Sequence, residues 1–177
     1  MSERAVRCTM VSVLALRRGA TPADARVLLV RRAGSTMAGT WTYVAGHIED
    51  GEAAWQTALR ELGEETALVP QSLHATSFCE RFYDASADCI QIVPAFVAQI
   101  APDAQVRLNA EHSEFAWLPL PEARERMPFG EQRLLLDHLR EEFILRRPHP
   151  VLEMGIGASG LGSRDSGFGI AKASDSG

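Results

Sequence analysis

The succession of short β-rich runs around one amphipathic acidic stretch predicts an α/β domain, with a helix packed on a largely antiparallel or mixed sheet. Three observations carry that expectation. Runs rich in Val, Leu and Ile precede, flank and follow residues 51–66. Within that central stretch Trp55, Ala58, Leu59 and Leu62 recur at helical spacing and share one stripe. The chain has 177 residues, 46% apolar and 23% charged, which is ordinary for a globular protein and enough to bury a sizeable core.

Taken in order, residues 5–17 and 26–32 read as two strands joined by a turn segment at 19–25 that contains Thr21-Pro22. Arg4 and Arg7 before the apolar TMVSVLAL run resemble the start of a secretory signal, but Arg17 and Arg18 stand where a small-residue cleavage site belongs. A strand is therefore expected there. A loop with Gly34 and Gly39 leads to a short strand at 41–44, then loop 45–50, with Asp50 as N-cap, and helix 51–66. Strands are expected at 73–83, 89–100 and 115–118, and helices at 120–126 and 130–145. Leu134, Leu135, Leu139 and Phe143 form the last helix's apolar stripe.

From Pro148 onward the chain holds 7 of its 14 glycines and five serines, so the domain is expected to span 1–147 and a disordered Gly/Ser-rich tail 148–177. Gly155, Gly157 and Gly160 match a dinucleotide fingerprint formally. They lack the strand and helix context that motif requires. Cys8, Cys79 and Cys89 are odd in number and form no CxxC pair. They are expected as buried thiols in a reducing cytoplasm, with a Cys79–Cys89 hairpin bridge as the lesser alternative. No apolar run approaches membrane-spanning length. A net charge of −5 argues against a nucleic-acid or anionic-membrane partner. Oligomeric state stays open, a homodimer included.

The charge is concentrated. Glu49, Asp50, Glu52, Glu61, Glu64 and Glu65 face a single base, Arg60, between Gly46 and Leu68, so this segment alone accounts for the net charge of −5. On a helix Glu61, Glu64 and Glu65 project together, since they are related by three and four residues. Close carboxylates repel, and a helix built for solubility would interleave lysines. The cluster makes sense around a divalent cation, Mg²⁺ or Mn²⁺, bound by hard oxygen donors. A solvated helix face is the alternative. Arg60 is placed to pair with Glu64 one turn on, and a carbonyl at Gly46 could complete a metal's coordination.

The segment GHIEDGEAAWQTALRELGEETAL resembles the Nudix box. Gly46, Glu52, Arg60, Glu61, Leu62, Glu64, Glu65 and Leu68 fall on its fixed positions, and Ala67 replaces its glycine. The resemblance extends over about residues 5–145. It implies an α/β/α sandwich with a mixed sheet and Mg²⁺-dependent hydrolysis of a nucleoside diphosphate linked to another group. It also implies metal ligation by Glu61, Glu64, Glu65 and the Gly46 carbonyl, with Glu52 and Arg60 in support. The segments VAGHIEDGE, FYDASADCIQIVPAF and EHSEFAWL are most similar to enzymes cleaving nucleoside or dihydroneopterin triphosphates to a monophosphate and pyrophosphate.

Outside the box, Glu111 and Glu114 are candidates for a further ligand or general base, with Glu80 a weaker one. Arg31 or Arg32 is expected to clamp a phosphate, one of the two facing inward. Trp41, Phe82 and Tyr83 are candidates to stack on a base, with core packing as the alternative for each. His47, His112, Gln132 and Arg133 are lesser candidates. Competing functions are hydrolysis of dinucleoside polyphosphates, ADP-ribose or nucleotide sugars, a nucleotide-sensing module without turnover, and an isomerase of related fold.

Overall fold

The computed structural model describes residues 3–156. Strands β1 (Ala5–Arg7) and β2 (Met10–Arg17) replace the single run expected, because the chain breaks at Cys8–Thr9. They are followed by β3 (Arg26–Arg32), β4 (Trp41–Thr42), β5 (Val44–His47) and helix α1 (Ala54–Thr66). Next come β6 (Ser72–Asp84), β7 (Cys89–Gln99), β8 (His112–Leu118), α2 (Leu120–Arg126) and α3 (Gly130–Leu139). A π turn over Arg140–Ile144 extends α3, closed by the Leu145 N–H donating to the Arg140 carbonyl at 2.9 Å. Among the described residues the strands form one mixed sheet: β1 and β2 run parallel to β7, and the other pairings are antiparallel.

Strand alternation divides the core in two. Val11, Val13, Leu28 and Val30 face α1, packing on Ala58 and Leu62. Leu14, Leu16, Val27 and Leu29 face α2 and α3, packing on Ala123, Leu135 and Leu139. The result is the α/β/α sandwich.

The feature that positions the site is a split between β2 and β3. These strands pair only at Leu16–Val27 and Arg17–Arg26. Residues 41–47 enter the gap and change neighbour midway: β4 pairs with β3 and β5 pairs with β2.

Three expectations are corrected. Helix α1 starts at Ala54 with Ala53 as N-cap, rather than after an Asp50 cap. Gly51 at φ +81° turns the chain first, and the Gln56 side chain accepts from the Ala53 N–H at 2.9 Å. The domain does not end at 147: Pro150–Leu152 make a 3₁₀ turn and β9 (Glu153–Met154) pairs with β6, where Met154 and Ile156 pack on the α1-side core. The rest of the expected tail, and with it most of the glycine motif, lies outside the described residues. Cys8 and Cys79 are exposed and only Cys89 is buried; Cys79 stands opposite Pro94, not Cys89.

Candidate active site

The acidic helix is anchored at its start by a fork. Arg60 donates Nε and Nη2 to the two oxygens of Glu52, both at 3.0 Å, and Nη2 also to the His47 carbonyl at 2.9 Å. Glu52 further accepts from the Thr57 hydroxyl at 2.7 Å. The Arg60 bonds, with that hydroxyl, hold the Glu52 carboxyl down to a pKa of about 2 and push the guanidinium above its already high value. This fork ties β5 to α1, so the helix's position follows that of the strand.

The remaining Arg60 nitrogen faces the other carboxylates of the helix, donating to Glu61 at 2.8 Å and Glu64 at 3.2 Å. Glu61 lies against Gly46: a Cβ there would sit 2.0 Å from its Oε1. Only glycine lets the carboxylate rest over that backbone. Burial, the largest cause, raises the Glu61 pKa against the pull of Arg60, with Glu65 and Glu64 adding to the rise. Glu64 is the open member of the row, its side chain 59% exposed.

Glu65 is turned inward. It is buried, and its Oε2 lies 2.7 Å from Nε2 of His112, which is buried with it. Desolvation raises its pKa and the Glu111 charge adds to this, while His112 and Arg32 lower it. Arg32 pairs across the sheet with His112, and Glu111 precedes His112 in the chain, so both lie on the Glu65 side of the helix. The loop bearing Glu111 also caps the helix: the N–H groups of Arg107 and Asn109 donate to the carbonyls of Thr66 and Glu65 at 2.8 and 3.3 Å. Ala67 ends the helix at φ +57°, left-handed, where the Nudix pattern has glycine.

The structure thus brings together Gly46, Glu52, Arg60, Glu61, Glu64, Glu65, Glu111 and Arg32. Among the described residues no three acidic, cysteine or histidine side chains form a closed metal-binding group. Arg31 lies on the other sheet face, donating to the Gly39 carbonyl at 3.0 Å and to Glu114 at 2.8 Å. Trp41 is half-buried on the α3-side core, with the Arg126 guanidinium 4.9 Å from its ring centre. Tyr83 is tied to Asp88 at 2.7 Å in the β6–β7 hairpin and joins none of the helix carboxylates. Arg133 donates to the Met127 carbonyl at 2.8 Å.

Two groupings escaped sequence reasoning. The His112–Glu65 pair spans 47 residues, and its only trace is a histidine at the start of a strand. Ser12 and Glu80, on strands remote in sequence, form a buried hydrogen bond of 2.6 Å. Ser12, the one polar side chain inside the apolar run of β2, was its only signal; Glu80 lies in a strand of mixed polarity that marks nothing out.

A family model described as the NUDIX domain matches residues 8–138, and the chain belongs to this family. The chain is 44% identical over 109 residues to the octanoyltransferase of Myxococcus xanthus, covering 60% of this chain and 30% of that protein. It therefore spans under a third of that relative's length. It is 31% identical over 98 residues to the asymmetrical bis(5'-nucleosyl)-tetraphosphatase of Caenorhabditis elegans, covering 54% of this chain and 70% of the relative. The fold resembles the crystal structure of a C. elegans Ap4A hydrolase binary complex, with a TM-score of 0.63 and 23% identity, covering 75% of this chain and 95% of that one.

Proposed function

We propose that this protein hydrolyses a pyrophosphate linkage in a nucleoside triphosphate-like substrate, a dNTP or pterin triphosphate, giving a monophosphate and pyrophosphate with Mg²⁺ or Mn²⁺. The observation that carries this reading is the row Glu61–Glu64–Glu65, seated over Gly46 at one end and open to solvent at Glu64.

The donors suit a hard divalent cation. Mg²⁺ keeps several waters and takes few protein carboxylates, so a partial set on one helix fits it better than a closed cage. Glu61, Glu64, Glu65 and the Gly46 carbonyl would hold it; when bound, it supplies Lewis-acid polarisation of phosphoryl oxygens and a more acidic water. The chain's own residues do the rest. Arg60 and Glu52 fix the helix on β5 and keep Glu61 aimed over Gly46. His112 holds Glu65 in one orientation from below. Arg32 brings positive charge for substrate phosphate, and Glu111 stands beside Glu65 as the candidate general base.

A second reading, cleavage of dinucleoside polyphosphates, is favoured by the identity with the asymmetrical tetraphosphatase. A panel of nucleoside triphosphates, pterin triphosphate, dinucleoside tetraphosphate and ADP-ribose, with products identified by mass, separates the two. Glu64→Gln should abolish Mg²⁺-dependent turnover on whichever substrate is cleaved, with the melting temperature unchanged. Wild type and variant equally inert across the panel would turn the reading to a nucleotide-sensing module.

A further inference from the structure

Strand β8 is irregular where it meets the acidic helix. Along it, Leu118 and Ala116 pack on the α3-side core and Trp117 on the α1-side core, so side chains alternate between the two faces. Glu114 continues the first set, since it meets Arg31 on the face away from α1. Strict alternation would put His112 on that face too. The register slips first: Glu114 stands opposite Arg31 and His112 opposite Arg32, so Ser113 has no partner on β3. That extra residue is a β-bulge, and it turns His112 over to the helix side, where it meets Glu65.

The contact delivered by the bulge is enclosed. The His112 and Glu65 side chains are 3% and 5% exposed, and Nε2 lies 2.7 Å from Oε2. Nδ1 is buried and has no hydrogen-bond partner among the described residues. A proton there would stand unpaired, so the ring carries its hydrogen on Nε2 and donates it to Oε2. The other oxygen, Oε1, takes no hydrogen bond among the described residues. Glu65 therefore has one oxygen committed to the histidine and one left for a cation held over the helix.

We infer that His112 is a positioning residue: it limits Glu65 to one-oxygen coordination and thereby selects Mg²⁺ or Mn²⁺ over Ca²⁺. The smaller ions take an octahedral shell, which a second oxygen from the same carboxylate distorts. Ca²⁺ gathers roughly six to eight oxygens and accepts a carboxylate through both of its own. Holding Oε2 on the ring denies Ca²⁺ that second oxygen and leaves Mg²⁺ its preferred geometry. This role rests on the divalent-ion reading of the carboxylate row and adds which residue sets the identity of the ion.

The test titrates Mn²⁺ into the full chain, reads the free ion by electron paramagnetic resonance and displaces it with Ca²⁺, with a thermal melt of each sample. His112→Leu frees Oε2, whereas His112→Gln returns an N–H donor near the position of Nε2. The Mn²⁺-to-Ca²⁺ affinity ratio should fall about tenfold or more in His112→Leu, the scale on which such outer partners act on metal sites. In His112→Gln it should stay within about threefold of wild type. If His112→Leu does not fold, His112→Asn, whose shorter amide falls short of Oε2, takes its place against the same ratio. An unchanged ratio, including equal weakening of both ions, would overturn the inference, since the histidine would then only brace β8 against the helix. A His112→Gln ratio as low as that of His112→Leu would overturn it as well. Wild type that binds neither ion would overturn the divalent-ion reading itself, and this role with it; the other outcomes leave that reading standing.

Discussion

Gly46→Ala isolates the contact on which the proposed chemistry turns. The added methyl carbon would lie 1.9 Å from Cδ, 2.0 Å from Oε1 and 2.4 Å from Cγ of Glu61. Ordinary carbon contacts begin near 3.5 Å, so the carboxylate must withdraw by roughly 1.5 Å. Gly46 is not in the left-handed region, and every clashing atom belongs to a flexible side chain, so the backbone accepts alanine and the protein should still fold. A misplacement of about 1 Å in a catalytic group costs on the order of 10² in rate, or about 2.7 kcal/mol of transition-state stabilisation. The assay is pyrophosphate release at saturating Mg²⁺, with a thermal melt of the same sample. Gly63→Ala is the control: its Cβ meets nothing within 4 Å, so it should keep full activity and gain about 1 kcal/mol of stability from helix propensity. A Gly46→Ala enzyme within threefold of wild type would refute the reasoning, because Glu61 would then have no need of its seat.

Three further outcomes are expected. Ala67→Gly should stabilise the fold by about 0.5 kcal/mol: relief of about 1 kcal/mol from the left-handed φ of +57° outweighs glycine's extra chain entropy. A melting temperature below wild type would contradict this. The Glu52 carboxyl should titrate near pH 2 by carbon-13 NMR, against its usual 4.5. Because the folded pKa is depressed, its contribution to stability is complete above about pH 4.5 and is lost as pH falls through about 2. Acid unfolding of Glu52→Gln should therefore be less steep across that window. A chain ending at Pro148 should melt several degrees below one ending at Ile156, since removing the half-buried Met154 and Ile156 costs about 2 kcal/mol. Equal melting temperatures would show that β9 contributes nothing.

Much of this architecture was legible because local pattern and tertiary demand agree. The strand at 26–32 and the helix at 120–126 match the sequence reading end to end, each being bounded by turn residues and carrying one clear period. The carboxylate row was legible too, since helical spacing alone places Glu61, Glu64 and Glu65 together. What could not be read depends on distant partners. His112 becomes significant only when β8 pairs with β3 and sets it opposite Arg32, over Glu65. The opposed facing of Arg31 and Arg32 is strand geometry, but which one meets the helix depends on where the sheet splits. Two Cys residues lie exposed because Cys8 falls in a break and Cys79 beside an irregularity in β6 pairing, neither of which composition reveals.

Residues 44–46 act as a dividing wall one strand thick. Ala45 stands in register with Ser12 on the face away from α1, and Gly46 faces Glu61 on the other. Substitutions at 45 therefore act on one face of the sheet and substitutions at 46 on the other. Inserting or deleting a single residue there would exchange the two sides at a stroke, driving a methyl into Glu61.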